Sequence, residues 1–297
     1  MSQDFSASYQ GRAQNCTLHI YDMETRQIKN LHSFTHVIEA PMWSGDSKAI
    51  LYNSEGLVYR YELDSGGISL VDTGEVKYCN NDHVLAPDGS GIAVSGNVES
   101  VMESKIYTIS FTDGTMREVV STPWSYLHGW SPDGRTLAYC AGRMVDGEMA
   151  WDVYTCPVEG GPETRLTDAP GLNDGCEYSS DGKTIWFNSV RTGLMQVWKM
   201  NADGSGQTQM TFDGDMNSWF PHISPDLSKV VYLAYHKGDL EPGQHLPDLN
   251  VEIRMIPADG GAPETLLKIF GGQGSINVNS WSPDSKQFAF VSYRQAT

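Results

Sequence analysis

Carboxylates, carboxamides, imidazoles and an indole recur at short, similar distances ahead of six aspartates in this chain. Glu39, Asn81, Asp82, His83, His128, Asp174, Glu177, Asn217, Trp219, His222 and Asn277 each stand four to nine residues before Asp46, Asp88, Asp133, Asp181, Asp226 or Asp284. Carboxylates and imidazoles can pass protons near neutral pH, and together they suit a divalent cation. Carboxamides and aromatic rings orient a polar ligand without reacting with it. Such residues form a site only if the elements that carry them converge, so the repeat itself comes next.

The clearest copy of the repeat is Trp130-Ser-Pro-Asp-Gly-Arg-Thr-Leu-Ala-Tyr139, and weaker copies begin at Trp43, Leu85, Tyr178, Ile223 and Trp281. The aspartates are separated by 42, 45, 48, 45 and 58 residues, a period that fits a four-stranded propeller blade. In each copy an apolar or aromatic residue ends one strand. Pro then fixes φ, Asp bonds back to nearby amides and Gly permits a positive φ, which makes a hairpin. Alternating strands follow, such as Thr136 to Tyr139 and Trp151 to Cys156, and a second turn at Glu159-Gly-Gly161 leads to a fourth strand at Glu163 to Leu166. Helical spacing of apolar residues is nearly absent.

The chain ends complete one another. Trp281 to Tyr293 supplies the first half of a blade, and Thr17 to Met23 with Gln27 to His32 supplies the second half of one. Pairing them would close a ring and remove exposed sheet edges. The expected fold is therefore all-β: a six-bladed β-propeller of four-stranded antiparallel blades forming one domain over residues 1–297. The blades are expected near 37–72, 78–121, 125–167, 172–212 and 217–268, with 275–293 and 16–33 sharing the last.

The Ser-Pro-Asp-Gly copies and their strand pattern resemble the repeats of the TolB-type six-bladed propeller, a relative of the WD-type propellers, over roughly residues 16 to 293. The resemblance implies the fold. TolB itself is periplasmic, carries a secretion signal and an α/β domain ahead of its propeller, and binds a lipoprotein and other envelope partners. Propellers of this kind also occur in peptidases and in lyases acting on acidic oligosaccharides, so the fold does not choose a function. The N-terminal Met-Ser-Gln-Asp-Phe-Ser-Ala-Ser-Tyr-Gln has no basic and apolar leader pattern, which makes the cytoplasm the expected location rather than the periplasm.

Composition narrows the partners. Thirty-seven acidic against 20 basic side chains give a net charge of −17, which opposes nucleic acid, whose binding relies on phosphate neutralisation by Lys and Arg. No run of eighteen apolar residues is present, so no membrane insertion is expected. The five cysteines form no CxxC pair and are odd in number, as expected of buried, reduced thiols; Cys79 and Cys176, near inner strands, are the two positions for a reactive thiol. HExxH, P-loop, GxSxG and paired-cysteine zinc signatures are all missing. Asp213-Gly-Asp-Met-Asn217 begins like a calcium loop but has Ser218 and Ser224 where Gly and Glu are required.

In a propeller the first strand of each blade is innermost, so residues just before each turn line the central channel or its mouth. Glu39, Asp174, Trp219 and His222 depart from the repeat and rank ahead of His83 and His128, which share one repeat position. The 58-residue step holds an insertion at 235–250 that carries His245, a candidate lid or contact loop. The glycines of Gly271-Gly-Gln-Gly-Ser275 would let a ligand approach the backbone. The expected function is binding of a protein or small polar ligand at the channel mouth. The alternative is a lyase or hydrolase acting on a carbohydrate-like substrate with acid and base residues there. No cofactor is expected, apart from a divalent cation that the channel histidines and carboxylates could hold.

Overall fold

The computed structural model describes residues 15–100 and 103–294. Segment 1–14, on which the expectation of a cytoplasmic location rests, lies outside them. Five four-stranded antiparallel sheets follow one another along the chain, each running in sequence order from its innermost strand outward. The inner strands are Glu39–Trp43, His83–Leu85, Ser125–Trp130, Asn173–Tyr178 and Met216–Ile223. A sixth sheet closes the ring: Asn15–Asp22 lies between Ile28–Phe34 and Gln287–Arg294, and pairs with the latter in unbroken register from Asn15 opposite Arg294 to Asp22 opposite Gln287. The fold is a six-bladed propeller in which the two ends of the chain share a blade.

The repeated turn works as a two-residue clasp. Ser131 Oγ donates to Asp133 Oδ1 at 2.6 Å and accepts from the Thr136 amide at 2.9 Å, while the same aspartate oxygen accepts from the Arg135 amide at 3.0 Å. The same serine-to-aspartate bond joins Ser44 to Asp46, Ser179 to Asp181, Ser224 to Asp226 and Ser282 to Asp284. In the second blade Ala86 stands where the serine would be, and Asp88 accepts from the Ser90 amide at 2.9 Å without a serine partner at position 86. These bonds hold the turn aspartates below the ordinary carboxylate range, led at Asp133 by the Ser131 hydroxyl. The clasp fixes where each inner strand ends and the next begins, and so fixes which residues face the channel.

The core lies between blades. Leu18, Val58, Ile92, Leu137, Ile185 and Val230 are completely buried, as residues of strands covered on both faces are. The closing blade differs from the sequence expectation of a regular inner strand before Trp281. There a 3₁₀ turn, Gln273–Ser275, is followed by irregular chain, with only an isolated bridge between Trp281 and Phe288. In this irregular segment Asn277 and Asn279 turn their side chains to neighbouring blades. Asn277 Nδ2 donates to Asp82 at 2.7 Å, and Asn279 Nδ2 donates to Glu177 at 2.5 Å.

Replacing Asp133 by Ala removes two hydrogen bonds from a turn and is expected to cost about 1–2 kcal/mol. For a chain of this size that lowers the melting temperature by roughly 2–4 °C. Calorimetry that showed no change would mean the clasp does not hold the blade.

Candidate functional site

The inner strands do not run straight through the channel. Register shifts fall between Glu39 and Met42, between Asp174 and Glu177, and between Trp219 and His222. Inside each lies a residue with positive φ, namely Ala40 at 54°, Gly175 at 61° and Phe220 at 51°, each six positions before its turn aspartate. A bulge re-aims the side chains on either side of it. At position 175 a β-carbon would collide with the Asn188 side chain, whose Oδ1 accepts from the Phe220 amide at 3.0 Å, so only Gly fits there. A buried Phe at positive φ is a strained arrangement that persists only where its surroundings enforce it.

These bulges open a cavity of about 670 Å³ at the end of the channel where the inner strands begin. Its polar lining includes Glu39, Asn81, Asp82, His128, Asp174 and His245. Tyr126, Trp151 and Phe220 supply aromatic walls, with the Tyr126 and Trp151 rings 6.1 Å apart and tilted by 36°. The insertion runs between strands Lys229–His236 and Pro247–Pro257, and its Gly243 and His245 reach the mouth. The His245 ring packs edge-on against Trp219 at 4.5 Å and Phe220 at 5.4 Å.

Three charged groups in the cavity influence one another. His128 Nε2 lies 3.0 Å from Asp174 Oδ1, and both side chains are almost fully buried. Burial opposes the imidazolium, but Asp174 and Asp82 outweigh it and the His128 pKa is raised. Burial also works against the Asp174 carboxylate, yet the charge and hydrogen bond of His128 bring its pKa down to about 2. Asp82 has no such close partner, and burial pushes it up to about 6 despite His128 and the bond from Asn277. Burial lowers His245.

The remaining sequence-predicted residues lie outside the cavity lining. His222 has both ring nitrogens occupied: Nε2 donates to the Ile276 carbonyl at 2.9 Å, and Nδ1 is hydrogen-bonded to Glu177 Oε2 at 2.6 Å. Asn217 accepts from the Met195 amide at 2.9 Å, Asn277 binds Asp82, and Trp219 backs His245. His83 is fully buried, and burial pulls its imidazole down to about 4. Cys79 and Cys176 are completely buried; burial pushes the first up to about 12 and the second well above the ordinary thiol value, which leaves neither as a nucleophile at neutral pH. Asp213, the first residue of the calcium-like stretch, pairs with Arg254 at 2.5 Å. The glycine segment packs against the protein itself, since a β-carbon at Gly274 would collide with Glu39 and Tyr293.

A TolB β-propeller domain model matches residues 103–246. An uncharacterized protein of Agrobacterium fabrum is 43% identical over 285 residues, covering 95% of this chain and 94% of that one. A solved structure from Agrobacterium tumefaciens, provisionally named TolB, superposes with a TM-score of 0.88 at 42% identity, covering 96% of this chain and all of the other. The chain belongs to the TolB-type β-propeller family. TolB of Acinetobacter baumannii shares the fold at a TM-score of 0.67 and 19% identity, and the TolB-type propeller described here spans 65% of that longer chain. Among the described residues of this TolB-type chain, no helix is long and apolar enough to cross a membrane.

Two outcomes follow from the buried network. Asp82 holds its proton more tightly folded than unfolded, so the stability from its neutral form is complete below the ordinary value of 3.8 and is lost as pH rises through about 6. Asp82→Asn cannot ionise and still accepts from Asn277. At pH 8 it is expected to be more stable than the parent by about 1–3 kcal/mol, with the gap closing near pH 4. Lower stability at pH 8 would contradict the burial cost. His222→Ala takes the imidazole partner from the Ile276 carbonyl and from Glu177, which keeps only Asn279, and is expected to cost about 2–4 kcal/mol in chemical denaturation. An unchanged unfolding midpoint would show that this network is not structural.

Proposed function

We propose that the protein binds a small polar ligand in the channel-mouth cavity, beneath the 237–246 loop. One observation carries this reading: the cavity joins a few fixed polar side chains to aromatic walls, the combination that orients and holds small molecules. Every blade or its connection contributes to the lining, so the site belongs to the closed ring and not to any single repeat. The strained Phe220 supports the same reading, because backbone strain is retained where it positions a side chain for use. A cytoplasmic location remains part of this proposal.

A second reading, acid–base catalysis on a carbohydrate-like substrate, is favoured by the split between Asp82 at about 6 and Asp174 at about 2 in one cavity. Paired carboxyl groups with separated protonation are what an acid and a base require. Incubation with unsaturated and saturated uronate oligomers tests it: product formation abolished by Asp82→Asn would support catalysis, and no turnover would leave binding alone.

Thermal shift against a panel of small cationic, neutral and anionic compounds tests the binding reading. A ligand at a hundred times its dissociation constant stabilises by about 2.7 kcal/mol, which raises the melting temperature by roughly 4–5 °C. The expected shift disappears in Trp151→Ala, whose side chain lines the cavity. A shift that survives this change and His245→Ala would locate the ligand elsewhere, and silence across the panel would refute small-molecule binding.

A further inference from the structure

The charge balance of the cavity selects a ligand class. Three of its lining residues are carboxylic acids, Glu39, Asp82 and Asp174, and no Lys or Arg is among the described residues that line it. His128 is the one lining side chain whose positive form is favoured, and it is committed to Asp174 at 3.0 Å. His245 is kept neutral by burial, and its buried Nδ1 has no hydrogen-bond partner in the folded protein. Inside a low-dielectric channel an excess of negative charge is not screened as it would be at the surface. The net charge of −17 adds a field of the same sign. A carboxylate offers about four lone-pair sites, so Asp82 and Asp174 can accept from a ligand N–H beside the bonds they already receive from Asn277 and His128.

The walls narrow the class further. Tyr126 and Trp151 stand side by side, and Phe220 lies 6.0 Å from the His128 ring. Aromatic faces attract organic cations and cover aliphatic stems. A bare metal ion would leave most of a 670 Å³ cavity empty, and the described residues include no group of three or more His, Cys, Asp or Glu arranged to hold one. We infer that the channel mouth takes a primary ammonium group on an aliphatic stem. The charge sits between Asp82 and Asp174, and the stem lies against Tyr126 and Trp151. This rests on the channel mouth being a binding site, as proposed above. A free small amine and a lysine side chain offered by a peptide present the same chemistry.

Isothermal titration near pH 7.5 with a matched series tests the inference: pentane-1,5-diamine, pentane-1,5-diol and glutarate share a five-carbon frame and differ in charge. N-acetyl-lysine amide and a lysine-containing tripeptide stand for the peptide source, and manganese and calcium salts for bare cations. The diamine or a lysine compound is expected to bind, while the diol and glutarate do not. Asp82→Asn and Trp151→Leu are each expected to weaken binding by at least about tenfold, with melting curves confirming that both variants are folded. Tighter binding of the diamine than of the lysine compounds identifies a free amine as the ligand source, and the reverse order identifies a peptide. Binding of the diol or glutarate as tight as the diamine, and lost in Trp151→Leu, would overturn the cation assignment while keeping the cavity as a site. Metal binding without amine binding would also overturn it. Absence of binding by this series and by every compound of the thermal-shift panel would overturn both readings.

Discussion

Pairing between Asn15–Asp22 and Gln287–Arg294 is the interaction on which the rest of the structure depends. Five blades in sequence form an open arc with an unpaired edge at each end. Joining the last strand to the first turns the arc into a ring, leaves only short edges at the inner strands and makes a channel with a defined diameter. The closure is set by side chains as well as by the ladder. His19 bonds Asn30 through one ring nitrogen and Ser292 through the other, both at 2.8 Å, so one residue links all three strands of the closing sheet. The loop-closure entropy of a contact between residues so far apart is large, and a long, fully registered pair of strands offsets it.

Closure brings polar groups from distant parts of the sequence into a region that water hardly reaches. The channel separates them into two kinds. Some are neutralised locally and hold blades together, as in the Glu177, His222 and Asn279 network, where the Trp281 indole also donates to the His222 carbonyl at 2.9 Å. Others, at the mouth, keep unspent capacity. Asp82 lacks a basic partner of its own, and His245 has an unpaired nitrogen. Burying such groups costs free energy that the scaffold must supply. Their position beside aromatic walls, under a loop that only the longest repeat carries, gives that cost a functional reading.

The fold was legible in the sequence because its determinant is local and repeated. Each Ser-x-Asp clasp closes within a few residues, so the spacing of aspartates reports the spacing of blades. The cavity was legible only in part. Asp174 and Glu39 stand out as departures from the repeat and do line it, but His222 stands out equally and is consumed between blades. His83 and His128 share a repeat position yet differ, because a register shift around His128 turns it toward Asp174 while His83 sits in a short regular strand. Trp151 and Phe220 were not singled out. Trp151 lies on an outer strand, and it reaches the mouth because Thr136–Val145 and Glu148–Pro157 are ten residues long, more than strands of the other early blades. Phe220 depends on a positive φ that no sequence rule assigns to Phe. The Asp146-Gly147 turn pair between two long strand-forming runs was the available signal for the first; the second had none.

The central claim is that the channel mouth is built to hold a ligand, and a crystal structure of the protein soaked with pentane-1,5-diamine tests it most directly. The expected result is density for the diamine in the cavity, with a nitrogen beside Asp82 and Asp174 and the carbon chain against Tyr126 and Trp151. A cavity occupied by water alone at saturating diamine, or filled by the 237–246 loop, would contradict it.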